Sequence, residues 1–165
     1  MSNKSKRILI PIDGSQPSMW ALKLGAQLAK ELSAEIKLVH VILPPAEGVG
    51  EMTPVTDELI ARLRSNGLEL LETARQQLPC RTPVKTALRE GLPAQEIVAY
   101  ARQLGADFIL MRSRGRGHWA NFVLGSTTEA VIRWSHCPVI TVSHNPSLPA
   151  PGAGLFRWSI ERSST

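Results

Sequence analysis

Residues 8–15 read Ile-Leu-Ile-Pro-Ile-Asp-Gly-Ser (ILIPIDGS), after a short basic leader of Lys4, Lys6 and Arg7. An apolar run of this length, stopped by the turn-forming Asp13-Gly14-Ser15, predicts a strand buried on both faces. That is the pattern of a parallel sheet covered by helices on each side. Pro17 suits a first helical turn. Beyond it Trp20, Leu24, Leu28 and Leu32 recur every four residues, with Ala21 and Leu22 widening the stripe, so a helix to about Ser33 follows the strand.

The same alternation continues along the chain. Ile36, Leu38, Val39, Val41 and Ile42 give a second strand, and the segment 44–53, with Pro44, Pro45, Gly48 and Gly50, reads as an irregular loop. From Pro54 to Leu78 the residues Leu59, Ile60, Leu63, Leu70, Leu71, Ala74 and Leu78 favour a second helix, with Gly67 as a weak point and Pro79 as its end. Val84, Thr86 and Leu88 alternate with polar neighbours as a half-exposed third strand. A helix opened by Pro93 follows, carries Ile97, Val98 and Ala101, and stops at Gly105. Phe108–Met111 is a fourth strand, 112–125 a glycine-containing loop, Ser126–Ser135 a helix and Val139–Val142 a fifth strand.

Strands joined by crossover helices must run parallel, and right-handed crossovers place those helices on both faces. The expected fold class is therefore α/β, a doubly wound parallel sheet. Such sheets bind ligands beyond the carboxyl ends of the strands, where strand order reverses, which directs attention to the loops 13–17 and 112–125.

Composition narrows the function classes. The 165 residues, 43% apolar and 20% charged, fit one domain, 1–145, followed by a Pro/Gly-rich tail, 146–165, rather than two domains. In that tail Pro146, Pro149, Pro151, Gly152 and Gly154 precede a small apolar segment of Leu155, Phe156, Trp158 and Ile160. The net charge of +5 is spread along the chain. Neither the leader nor the cluster Arg112, Arg114, Arg116 matches the basic block that marks a nucleic-acid surface, so no nucleic-acid partner is expected. Cys80 and Cys137 are distant and have no C-x-x-C spacing, and the four histidines show no paired spacing. No disulfide framework or metal site is expected, and a reducing, cytoplasmic setting fits. No apolar run reaches the length of a signal-peptide core or membrane span, so no membrane partner is expected either.

Two loops could carry chemistry. Gly115 is followed after nine residues by Gly125-Ser126-Thr127-Thr128 at the start of a helix. Backbone N–H groups there carry partial positive charge, glycine admits close approach, and the hydroxyls add hydrogen bonds, so the segment suits an anion; it equally suits a simple N-cap. Pro11-Ile12-Asp13 places a carboxylate at the crevice, able to hold an amine, a hydroxyl or a metal-bound water, or to close an Asx-turn.

Taken in order and spacing, 8–15 (ILIPIDGS), 38–42 (LVHVI), 105–111 (GADFILM), 113–117 (SRGRG), 123–126 (VLGS) and 137–142 (CPVITV) resemble the universal stress protein family over residues 4–143. The resemblance implies a five-stranded sheet of order 3-2-1-4-5, Rossmann-like and similar to the adenine nucleotide alpha hydrolases. It also implies a homodimer through the last strand, Pro138 to Val142. One branch of that family binds ATP through Gly, two residues, Gly, nine residues, Gly, then Ser or Thr. Gly115, Gly125 and Ser126 match the last three elements, whereas Arg112 stands at the first glycine. For this chain the resemblance places adenine near Pro11, Ile12, Asp13 and the backbone of Val41, ribose near Arg112, and phosphates at Gly115, Gly125, Ser126, Thr127 and Thr128, with Met111 also among the nucleotide-binding residues.

Two effects oppose each other at Arg112. A side chain where glycine is usual obstructs the ribose and, if the backbone needs positive φ, adds about 1–3 kcal/mol of strain. Against that, a guanidinium suits phosphate. The reading that follows is an adenine-nucleotide-binding (ATP, ADP or AMP) dimeric stress-response regulator. Mg²⁺ would bridge the phosphates, and hydrolysis would be slow at most, because no catalytic base stands out. The alternative is a nucleotide-independent dimeric adaptor, its site impaired by Arg112 and its tail, with Phe156 and Trp158, docking on a protein partner.

Overall fold

The computed structural model describes residues 5–44, 56–79, 83–113, 124–142 and 160–161. In chain order these form β1 (Arg7–Pro11), α1 (Gln16–Leu32), β2 (Glu35–Ile42), α2 (Asp57–Gln76), β3 (Val84–Glu90), α3 (Pro93–Leu104), β4 (Phe108–Arg112), α4 (Ser126–Trp134), β5 (Val139–Val142) and β6 (Ile160–Glu161). Strands β1 to β5 are parallel in the order β3-β2-β1-β4-β5, and β6 adds antiparallel to β5. The sequence predicts the five parallel strands and their helices. It does not predict β6.

Side-chain parity along the strands builds two cores. Ile8, Ile10, Ile36, Leu38 and Leu110 face one side and pack with Ala21, Leu22 and Ala29 of α1 and Leu71 and Ala74 of α2. Leu9, Val39, Ile109, Met111 and Val139 face the other and pack with Ile97, Val98 and Ala101 of α3 and Val131 of α4. Because strand side chains alternate in direction, β1 needs apolar residues at every position, and 8–10 supply them fully buried. Each such side chain contributes on the order of 1.5–3 kcal/mol of burial free energy.

Three details of the helices differ from expectation. The buried stripe of α1 is Ser18, Ala21, Leu22, Gly25 and Ala29, while Leu32 is 47% exposed. Small residues at 21, 25 and 29 let α1 lie close on the sheet: a Cβ at Gly25 would meet the Ile10 side chain and come within 3.2 Å of Leu110. Gly67 is not a weak point but a contact point. A Cβ there would sit 2.6 Å from Leu88 Cδ1 and 3.0 Å from His40 Cδ2, so α2 crosses β2 and β3 at its glycine. Helical spacing among apolar neighbours predicts core positions for Trp20 and Trp134, but Trp134, the last residue of α4, is 49% exposed and Trp20 is half-buried. Helix ends follow local rules. Ser15 caps α1, Thr56 caps α2, and Gly105 ends α3 with φ +60°.

Candidate functional site

Strand order reverses between β1 and β4, each of which has its crossover connection leading away from the other. Their carboxyl ends and the first turn of α4 therefore border one crevice, with a volume of about 220 Å³. Val39, Val41, Pro93, Ile97 and Met111 provide an apolar wall, and Asp13, Arg112, Ser126, Thr127 and Thr128 a polar rim. Pro11, Ile12 and Gly125 complete the part predicted from sequence. All the residues singled out there line this cleft except Gly115, which, like Arg114 and Arg116, lies outside the described residues.

The polar rim is tied together around Arg112. Its Nη2 pairs with Asp13 Oδ2, and its Nη1 donates to Ser15 Oγ at 2.6 Å. Ser15 in turn donates to Asp13 Oδ1 from both its amide (3.1 Å) and its hydroxyl (2.7 Å). On the other side Thr128 Oγ1 donates to the Arg112 carbonyl at 3.0 Å, and the Gly125 amide donates to the Ser113 carbonyl at 2.8 Å. Arg112 thus joins the end of β4 to the β1–α1 loop and to the start of α4. The loop itself is shaped by Gly14, with φ +76°, seated against Leu70 of α2.

Burial pushes the Asp13 carboxyl upward, but the Ser15 hydrogen bonds and the Arg112 charge outweigh it. Its pKa ends below the ordinary carboxylate value, and Asp13 is ionised at neutral pH. Arg112 belongs to an extended strand, and Ser33 is the one non-glycine residue with positive φ among the described residues. The backbone strain conceivable for arginine at this position is therefore absent. What arginine changes is charge and volume. The guanidinium points to the β1–α1 loop, where Asp13 and Ser15 hold it.

Val39, His40, Pro93 and Ile97 were not singled out from sequence. His40 Nδ1 lies 2.7 Å from the Ile12 carbonyl, which only accepts, so this nitrogen carries the proton and the ring is fixed against the end of β1. Pro93 and Ile97 reach the cleft because α3 leaves the edge strand β3 and returns across β2. Arg89 reinforces that path by donating to Glu96 Oε2 at 2.9 Å and lying over the Tyr100 ring. The rule that ligands sit at strand carboxyl ends does name the 91–93 turn as a candidate; only the crossover path distinguishes it.

Other sequence candidates lie elsewhere. Cys137 packs beside the second core, and burial pushes its thiol up, the setting of an inert cysteine. Among the described residues no group of three or more His, Cys, Asp or Glu side chains is placed to hold a metal, and no helix is long and apolar enough to cross a membrane.

The fold and the cleft define an α/β domain that presents a small-ligand crevice at its switch point. A model of the universal stress protein family matches residues 4–143, and the chain belongs to that family. It is 36% identical over 142 residues to the universal stress protein MJ0531 of Methanocaldococcus jannaschii, covering 85% of this chain and 83% of that one. The solved structure of MJ0577, a universal stress protein of the same organism, superposes with a TM-score of 0.74 and 31% identity over 85% of this chain and 96% of that one. A universal stress protein from Archaeoglobus fulgidus, solved in complex with dAMP, shares the fold, with a TM-score of 0.57 and 20% identity over 84% of this chain and 98% of that chain.

Proposed function

We propose that the cleft binds an adenine nucleotide, ATP, ADP or AMP, and that the protein is a nucleotide-responsive stress-response regulator. One observation carries this reading. At the switch point an apolar wall suited to a base runs into the N-terminus of α4, whose N-cap, Gly125, offers its first-turn amides no side-chain acceptor. A phosphate would meet those amides and the hydroxyls of Ser126, Thr127 and Thr128. The dAMP bound by the Archaeoglobus relative supports the ligand class. Asp13 is the one carboxylate in the lining and is already paired with Arg112, so the described residues do not build a Mg²⁺ site. In this reading Mg²⁺ is held by the phosphates, and the protein acts by binding, with hydrolysis slow at most. Calorimetric titration of the nucleotide-stripped protein with ATP, ADP, AMP and adenosine, with and without Mg²⁺, should give micromolar binding of at least one nucleotide. Silence with all four ligands would remove the reading and leave the adaptor alternative.

The same regulator would act as a homodimer through β5. That edge is also where β6 pairs, at Val139 and Ile140, and one strand edge cannot serve two partners at the same positions. Deleting residues 146–165 should therefore strengthen dimerisation about tenfold, the equivalent of one or two net backbone hydrogen bonds. Sedimentation equilibrium measures it. An unchanged or weaker dimer would show that β6 and the partner do not compete.

A further inference from the structure

Asp13 and Arg112 are the charged pair of the cleft lining, and they face each other across it from the ends of β1 and β4. Arg112 is largely screened from water, its side chain 15% exposed, whereas Asp13 keeps 38%. The carboxylate is therefore the member open to an incoming ligand. Two Ser15 donors and the guanidinium hold that carboxylate in place, and the carbonyl of Arg112 is fixed by Thr128 in the first turn of α4. A negative charge is thus anchored in the same cleft lining as the turn that the proposed function assigns to phosphate, and the neighbouring cation cancels it.

We infer that Arg112 is the specificity-determining residue of this site: by neutralising Asp13 across the cleft it admits phosphorylated ligands, and without it the site favours the uncharged nucleoside. Arg112 acts here through Asp13, not as a clamp on the phosphate, because its guanidinium is anchored on the β1–α1 loop. The inference rests on the nucleotide reading above and makes a claim that reading does not. A glycine at 112 would open the ribose position sterically and yet weaken the phosphorylated ligand relative to adenosine. An unpaired carboxylate in the same lining repels a phosphate dianion and leaves adenosine untouched, which lowers the ratio of the two affinities by about tenfold or more.

The test compares AMP and adenosine on the full chain, by calorimetry at one low salt concentration. The proteins are the wild type, Arg112→Gln, Arg112→Lys, and the double variant Asp13→Asn with Arg112→Gln. The quantity read is the ratio of the two affinities, which a general loss of folding does not shift. Arg112→Gln should lower the AMP-to-adenosine ratio about tenfold. Arg112→Lys, which keeps the charge, should restore it to near the wild-type value, and so should the double variant, which removes both charges. A ratio unchanged in Arg112→Gln, or not restored in the double variant, overturns the inference while leaving nucleotide binding intact. A wild type that binds neither ligand overturns the nucleotide reading and this inference with it. Should Arg112→Gln fail to fold, Asp13→Asn alone decides: it leaves the Arg112 charge uncompensated in the lining and should raise the AMP-to-adenosine ratio about tenfold, and an unchanged ratio overturns the inference.

Discussion

Leu110→Ala is expected to cost about 2–5 kcal/mol of folding stability, the range of fully buried leucine truncations. Leu110 lies in the middle of β4, fully buried, with its side chain against the glycine of α1 that allows helix and sheet to approach. Gly25 has no side chain with which to follow the receding surface, and Ile10 of β1 is already packed against α1 at the same glycine, so the space left by three lost carbons does not close. For a chain of this size the loss corresponds to a fall in Tm on the order of 5–15 °C. Thermal unfolding followed by circular dichroism measures it. A fall of under about 2 °C would mean that α1 settles into the gap and that the close contact at Gly25 is not rigid. Since β4 also carries Arg112 at its end, the variant should lose ligand binding in parallel with folding and not ahead of it.

The second large effect is on binding. Val41 stands on β2 in the apolar wall, on the face shared with Val39 and Ile97. Val41→Trp would place an indole in a cleft of about 220 Å³, where a ligand base would otherwise lie. The expected result is at least a hundredfold loss of affinity for adenine nucleotides and for adenosine alike, about 2.7 kcal/mol or more. Val41 is only partly buried, so the fold should survive, and a thermal melt near that of the wild type would confirm it. Undiminished affinity would place the base elsewhere and remove the apolar wall from the site. The equal loss for both ligands separates this steric effect from the charge effect expected at Arg112.

Much of this architecture was legible in the sequence, because parallel strands advertise themselves. A strand covered on both faces must be apolar at every position, and Ile8, Leu9 and Ile10 can hardly be anything else. Caps and stops were equally local: Ser15, Pro93 and Gly105 act within one turn of where they stand. The stripe of α1 was misread for a physical reason. Periodicity of large residues picked Trp20, Leu24, Leu28 and Leu32, but the face that approaches the sheet most closely is the one with the smallest side chains, 21, 25 and 29. Gly67 was misread in the same way, since a helix-weakening residue and a close-packing residue look identical until the crossing partner is known.

For the cleft, the carboxyl ends of β1 and β4 follow from topology, and with them Asp13, Arg112 and the start of α4. The far wall does not, because Pro93 and Ile97 belong to it only through the path of α3 over β2. Nor does the sequence disclose where a guanidinium will point. Arg112 could be weighed as obstruction or as phosphate contact, and its engagement by Asp13 and Ser15 is a third outcome, set by a residue 99 positions earlier in the chain.

The short sixth strand has a consequence for how the molecule meets others of its kind. A sheet of this type has two rims, and here they are guarded differently. The β3 rim carries Lys85 and Arg89 among its side chains, charges that discourage edge-to-edge stacking. The β5 rim is covered by backbone from the same chain. A strand borne on its own chain competes at a local concentration on the order of millimolar, whatever the dilution of the protein. A visiting strand at micromolar concentration therefore gains that rim only by bringing contacts beyond the two residue pairs it displaces, which makes occupancy of the β5 rim a matter of protein concentration and of the surface flanking the strand.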